Sequence, residues 1–229
     1  MVNSISLSAI VLAGGRSSRM GQDKALLPIQ GVPMLRRVCG VAQSCTSSIY
    51  VVTPWPERYQ HLLPTSCHLI QEVSLLGESK GEVLSSSSKA IPLSHGPLIG
   101  FAQGLAQVQT DWVLLLACDL PRLRVEVLQA WADRLHSVSQ DAIALLPRHA
   151  KGWEPLCGFY RYSCLPTLTD FIHQGGRSFQ QWLTQHSVQL LPLPENDPML
   201  FNCNTPTDLE AINRIFVGPL EPILRKDDL

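Results

Sequence analysis

Six consecutive apolar residues, Trp112-Val113-Leu114-Leu115-Leu116-Ala117, constrain this chain more than any other stretch. A run without polar alternation belongs to a strand covered on both faces, as at the centre of a parallel sheet. Residues 9–13, 48–53, 68–70 and 142–146 read as further strands, and 156–160 and 188–193 as two more candidates. Between them lie patterns of helical period. Pro33 opens one, with Leu35, Val38, Ala42 and Cys45 on one face. Pro97 opens another, with Leu98, Phe101, Ala102, Leu105 and Val108 on one face. Val125, Leu128, Trp131, Ala132 and Leu135 mark a third. This alternation predicts an α/β fold with a mostly parallel sheet. Right-handed crossovers then place helices on both faces, giving three layers.

The later part is less regular. Phe179, Trp182 and Leu183 suggest a short helix. Thr205-Pro206-Thr207-Asp208 is a helix start, with Thr as N-cap, Pro at the first position and an acid at the third. Leu209, Ile212 and Phe216 follow on one face. A length of 229 residues, 45% of them hydrophobic, fits one domain over 1–229. Residues 73–95 contain Gly77, Gly81 and four serines, 85–88, without a clear apolar period. They are expected to form a mobile insert beside the site or a disordered excursion. Residues 218–229, with two prolines, read as a frayed tail.

Eighteen Lys and Arg against nineteen Asp and Glu leave a net charge of −1, which argues against a nucleic-acid partner. The scattered aromatics offer no stacking platform for single strands. The seven cysteines, at 39, 45, 67, 118, 157, 164 and 203, form no C-x-x-C pair. With no basic leader before an apolar run, they are expected to be free thiols in the cytoplasm. The histidines lack metal-ligand spacing, so a structural zinc is not expected. No run approaches the roughly 18 apolar residues of a membrane span.

Chemistry concentrates at two strand ends. The run 9–13 leads into Gly14-Gly15, followed by Arg16, Arg19 and Lys24. A glycine turn with free backbone N–H groups and nearby cations suits polyphosphate. It is neither a Walker A loop, which needs G-x-x-x-x-G-K-[ST], nor a G-x-G-x-x-G fingerprint. Asp119 ends the strongest strand, in Ala117-Cys118-Asp119-Leu120-Pro121. A carboxylate there is placed to hold Mg²⁺, which shares its coordination with phosphates. The plain alternatives are an ordinary turn with solvated charges and an Asp that starts the turn before Pro121. No Ser-His-Asp or Cys-His pair asks for a covalent intermediate.

Four segments in order carry a family resemblance. They are Leu12-Ala13-Gly14-Gly15 with Arg19-Met20-Gly21 and Asp23-Lys24; Gly96-Pro97-Leu98-Ile99-Gly100; Ala117-Cys118-Asp119-Leu120-Pro121; and Phe201-Asn202-Cys203-Asn204-Thr205-Pro206. Together they resemble the molybdenum cofactor guanylyltransferase family of MobA-like nucleotidyltransferases, over roughly residues 8–216. The resemblance implies a three-layer, Rossmann-like nucleotidyltransferase fold. It implies that Leu12, Ala13, Gly14 and Gly15 meet GTP largely through backbone atoms, and that Lys24 binds its phosphates. Asp119 would hold Mg²⁺, Arg19 would neutralise phosphate charge, and Glu72 and Thr53 would add nucleotide contacts. Asn202, Asn204 and Arg177 would face a pterin partner, with Trp153-Glu154-Pro155 on the same side. The implied reaction joins GMP from GTP to molybdopterin, or its molybdenum-loaded form, and releases pyrophosphate. Transient contact with cofactor-synthesis and acceptor enzymes would accompany it. A molybdopterin cytidylyltransferase, a sugar-phosphate nucleotidyltransferase and a non-catalytic nucleotide-binding regulatory protein are the competing readings.

Overall fold

The computed structural model describes residues 5–14, 21–73, 96–194 and 197–215. In chain order its elements are β1 (Leu7–Leu12), β2 (Pro28–Ile29), β3 (Val32–Pro33), α1 (Met34–Gln43), β4 (Ile49–Thr53), α2 (Pro56–Tyr59) and β5 (Cys67–Gln71). Then come α3 (Pro97–Leu105), β6 (Trp112–Ala117), α4 (Val125–Asp133), β7 (Ala144–His149), β8 (Gly152–Trp153) and β9 (Cys157–Arg161). The chain continues with α5 (Leu165–His173), α6 (Phe179–Leu183), β10 (Val188–Leu191) and α7 (Pro206–Ile215).

The main sheet runs in the order β10-β7-β9-β6-β1-β4-β5, with β8 paired to β7. β1 lies parallel between β4 and β6, and β5 continues the parallel set. β9 breaks it, running antiparallel to both β6 and β7, and the short β8 is antiparallel to β7. The expected mostly parallel sheet is therefore present. The direction of β9 was not readable, because an apolar run has no polarity of its own. β7 begins two residues later than its apolar run: Ala142 N–H donates to Ser139 O in the preceding turn, and Ile143 sits at the margin of the ladder, bonded to Ser187 O and Arg161 N–H.

All six residues of β6 are buried, so the strand is covered on both sides as its composition requires. Alternate side chains feed two cores. Ala9, Val11, Leu114 and Leu116 pack with α1 and α4 on one face. Ile10, Val113 and Leu115 pack with α3, α5 and α6 on the other. The sheet is thus the middle of three layers. α5 escaped the sequence pattern, although Leu168 and Ile172 face the core. A third, small cluster joins Leu27, Ile29 and Met34 to Cys203 and Ile212, pinning α7 to the β2–β3 hairpin. α7 starts with the reciprocal cap its sequence promised. Asp208 N–H donates to Thr205 Oγ1 at 3.2 Å, and Thr205 N–H donates to the Asp208 carboxylate at 2.8 Å.

All seven cysteines are free. Burial pushes the Cys164 thiol up to about 12 and that of Cys203 up to about 11, which makes them poor nucleophiles. No helix among the described residues is long and apolar enough to cross a membrane. Most of the 73–95 insert and all of the 218–229 tail lie outside the described residues, as does Phe216. Leu115 is fully buried between β1 and β9. Leu115→Ala is expected to lower unfolding free energy by about 3 kcal/mol, the usual cost of a buried Leu truncation. Urea titration measures it, and a loss under about 1 kcal/mol would contradict a tight core at this strand.

Candidate active site

The chain leaves β1 for β4 on one side and, after β5, returns to β6 on the other. The carboxyl ends of β1 and β6 therefore flank a topological switch point, where open α/β sheets bind ligands. A cavity of about 220 Å³ opens there, lined by Leu12, Ala13, Gly14, Lys24, Glu72 and Asp119 among others. Six residues singled out from the sequence thus meet in one place. Gly15, Arg16 and Arg19 lie outside the described residues.

Gly14 is required by its neighbours. A Cβ there would stand 2.8 Å from Pro54 Cδ and 2.9 Å from Glu72 Oε2. Glu72 is itself buried and held at the end of β5, its N–H donating to Thr53 O at 2.8 Å. The first turn of α3 completes this wall with Gly96 and Pro97. Gly96 has φ +93°, a left-handed conformation that lets the chain turn straight into the helix. That helix start brings backbone N–H groups and the positive end of a helix dipole to the cavity.

Lys24 is the hub. Its Nζ donates to Asn204 Oδ1 at 2.6 Å and lies 3.6 Å from Asp119 Oδ2. The residue before it fixes its place. Asp23 Oδ1 caps the following turn by accepting from Ala25 N–H at 3.1 Å, and Asp23 Oδ2 accepts from Tyr59 OH at 2.7 Å. Asp23 had no role in the sequence reading. Its adjacency to Lys24 was the available signal, whereas its pairing with Tyr59 was not visible. Burial raises the Asp119 carboxyl above its ordinary range, and the Lys24 charge pulls it back. The chain behind is tied to the same point, since Cys203 N–H donates to Asp119 O at 3.0 Å.

Among the described residues no group of three or more His, Cys, Asp or Glu side chains forms a metal cage. Of the acids lining the cavity, Asp119 follows β6 beside Lys24, and a single carboxylate suits a hydrated Mg²⁺ that takes its other ligands from water and phosphates. Asp119 fits that ion, and its desolvated carboxylate gains from a nearby cation.

A second cavity, of about 500 Å³, lies on the far side of the Lys24–Asn204 contact. Arg148, His149, Lys151, Glu154, Asn202 and Asn204 line it. Asn204 thus lines the second cavity and bonds to Lys24, which lines the first. Two expected residues stand elsewhere. Thr53 is fully buried, and its hydroxyl accepts from Trp55 N–H at 3.2 Å, shaping the turn after β4. Arg177 donates to Ile172 O at 2.9 Å and Gly176 O at 2.7 Å, capping the end of α5, and it lines neither cavity.

The model of the MobA-like NTP transferase domain matches residues 9–189. A protein from Nostoc sp. called a probable molybdenum cofactor guanylyltransferase is 61% identical over 210 residues, covering 92% of each chain. A protein of the same description from Synechococcus elongatus is 42% identical, covering 91% of this chain and 98% of its own. Among solved structures, molybdopterin-guanine dinucleotide biosynthesis protein A from Archaeoglobus fulgidus superimposes with a TM-score of 0.69. It is 22% identical and covers 91% of this chain and 97% of its own, a likeness of fold.

Gly14→Ala is expected to force the Pro54 ring or the Glu72 carboxylate to move, at a cost of about 1–3 kcal/mol. Urea unfolding reads that cost, and an unchanged midpoint would mean the turn is looser than its contacts imply.

Proposed function

The chain belongs to the MobA-like NTP transferase domain family, and from that premise we propose that it transfers GMP from GTP to molybdopterin. The product is molybdopterin guanine dinucleotide, and pyrophosphate leaves. The relatives' descriptions support the choice of guanylyl group and acceptor. The observation that carries the reading is Lys24, which lines the first cavity, pairs with Asp119 and donates to Asn204, a residue lining the second.

The first cavity takes GTP. Leu12, Ala13 and Gly14 present the end of β1 to it, and the start of α3 offers N–H groups beside them. Glu72 adds an acceptor for the nucleoside. The second cavity takes the pterin, with Asn202 and Asn204 on its wall. Its terminal phosphate then meets the α-phosphorus at the shared wall. Thr53 supports this arrangement from behind the site, and Arg177 supports the end of α5. Arg19 joins the phosphate-binding set by its place in the sequence motif alone.

The attacking phosphate is already an anion, so no general base is needed. The task of the protein is to align two anions and offset their repulsion. Lys24 does this at the point of attack, because its ammonium has three donors and two are directed by Asn204 and Asp119. As negative charge builds on the leaving pyrophosphate, the cation is already in place and does not have to reorganise. Asp119 is the residue that would hold Mg²⁺, which when bound supplies Lewis-acid neutralisation of phosphate oxygens.

Lys24→Ala and Asp119→Ala are each expected to lower turnover by at least ~10², the usual loss on removing a preorganised electrostatic group. Pyrophosphate release with Mg²⁺ and molybdopterin, comparing GTP with CTP, tests the whole reading. Release with GTP and a guanylylated pterin product is the expected result. Release with CTP alone would move the protein to cytidylyl transfer, and near-wild-type rates in either variant would overturn that residue's role.

A further inference from the structure

Glu154, in Trp153-Glu154-Pro155, lines the second cavity with no part in the phosphate chemistry, yet the structure holds it on several sides. The β7–β8 hairpin pairs Arg148 with Trp153 and His149 with Gly152. Glu154 N–H then donates to Pro147 O at 2.9 Å. The side-chain amide of Gln180 grips the preceding residue on both sides. Its Oε1 accepts from Trp153 N–H at 3.1 Å, and its Nε2 donates to Trp153 O at 2.7 Å. The backbone that carries Glu154 is therefore fixed by an antiparallel pair and by a clamp from α6.

The side chain is fixed as well. Lys151 N–H donates to His149 Nδ1 at 3.0 Å. The neutral imidazole then carries its proton on Nε2, and that N–H donates to Glu154 Oε1. Among the described residues no hydrogen-bond donor reaches Glu154 Oε2. Oε1 also keeps a second lone pair, so the carboxylate can accept further donors. The other acid on this wall already has a partner on each oxygen. Asp197 Oδ1 accepts from Met199 N–H at 2.8 Å, and its Oδ2 pairs with Arg124 Nη2 at 2.7 Å. Arg148 and Lys151 are cations, and Asn202 and Asn204 are neutral amides. Glu154 is thus the carboxylate on the described wall that is both held in place and open to a ligand.

An oriented carboxylate recognises two parallel N–H donors. The amino-pyrimidinone edge of a pterin, with its 2-amino group beside N3–H, is such a pair. We propose that Glu154 reads this edge of the acceptor and that His149 is a positioning residue that holds the carboxylate for it. The proposal rests on the reading that the second cavity takes the pterin. It adds what that reading lacks, a group that tells a pterin ring from other flat heterocycles of its size. Guanine presents the same pair of donors, so a test must separate the two ligands.

The full-length protein is titrated with 6-hydroxymethylpterin and with 6-hydroxymethyllumazine, which has a 2-oxo group in place of the 2-amino group. GTP is titrated separately. Wild-type protein is expected to favour the pterin by roughly tenfold or more, since an oxygen opposite the carboxylate leaves an unpaired acceptor. Glu154→Gln offers one acceptor and one donor, and is expected to erase or reverse that preference. In turnover it should raise the KM for molybdopterin at least about tenfold while kcat stays within about threefold, the split of an interaction made equally in ground and transition states. His149→Gln is expected to weaken both probes by a smaller factor and keep the pterin preference. GTP affinity should stay unchanged in both variants, which also shows that they are folded. An unchanged pterin-to-lumazine ratio in Glu154→Gln, with turnover intact, would overturn the proposal and leave the functional reading standing. Loss of GTP affinity in place of pterin affinity would overturn it by assigning Glu154 to the guanine. Wild-type protein that cannot guanylylate molybdopterin would overturn the functional reading, and this proposal with it.

Discussion

One ammonium group organises the site. Lys24 comes from the turn after the first strand, Asp119 from the end of β6, and Asn204 from a segment 180 residues after Lys24. All three meet within 3.6 Å of Nζ. Asp119 is costly where it stands, since burial raises its carboxyl and only Lys24 and local hydrogen bonds lower it again. An ion pair of this kind is weak evidence for stability, because desolvation cancels much of the attraction. Its value lies in registry. It fixes which parts of the chain face each other at the seam between two cavities, and the remaining features of the fold serve to keep that seam closed.

The supporting structure is arranged accordingly. β1 and β6 are adjacent, parallel and buried, so their carboxyl ends cannot drift apart without breaking the centre of the sheet. The late segment has little regular structure of its own before α7. It is held by Cys203 N–H on Asp119 O, by the buried Cys203 side chain among Leu27, Ile29 and Met34, and by the reciprocal cap of Thr205 and Asp208. Each of these anchors lies within a few residues of Asn204. Together they deliver an amide oxygen to Lys24 with a precision that a free loop would not have.

How much of this was legible follows from the range of the interaction concerned. The strand β6, the helices opened by Pro97 and Pro206, and the clustering of Gly14, Lys24 and Asp119 at strand ends all follow from patterns local to a few residues. Burial on both faces writes itself as a continuous apolar run, and a helix start writes itself as Thr-Pro-x-Asp. The direction of β9 left no such mark in its own residues, and its pairing with β6 joins segments far apart in the chain. α5 was hidden because two threonines and a proline dilute its apolar stripe, although Leu168 and Ile172 still reach the core. The carboxylate of Asp23 was in plain sight beside Lys24, but its link to Tyr59 spans 36 residues. Thr53 and Arg177 illustrate the converse. Both occupy positions where a ligand contact is chemically reasonable, and in both the side chain is turned to backbone groups that need a partner. A sequence gives residue type and spacing, whereas the competition of nearby backbone groups for a polar side chain is settled only by the fold.

The neutrality of Asn204 completes the argument. The wall between the cavities must let two anionic phosphates approach one another. A carboxylate at this position would hold Lys24 more firmly, yet it would place a second negative charge beside Asp119 where the phosphates have to meet. An amide oxygen accepts from Lys24 at 2.6 Å and adds no charge. It steers the cation without neutralising it, so the charge stays available to the incoming phosphates. Asp119 is then the carboxylate in contact with Lys24, and the group that would share a cation with a triphosphate. Two further acids line the first cavity, Asp23, engaged by Tyr59 and Arg58, and the buried Glu72, while Glu154 lines the second and is bonded to His149. The neutral amide thus leaves Asp119 as the carboxylate that pairs with Lys24.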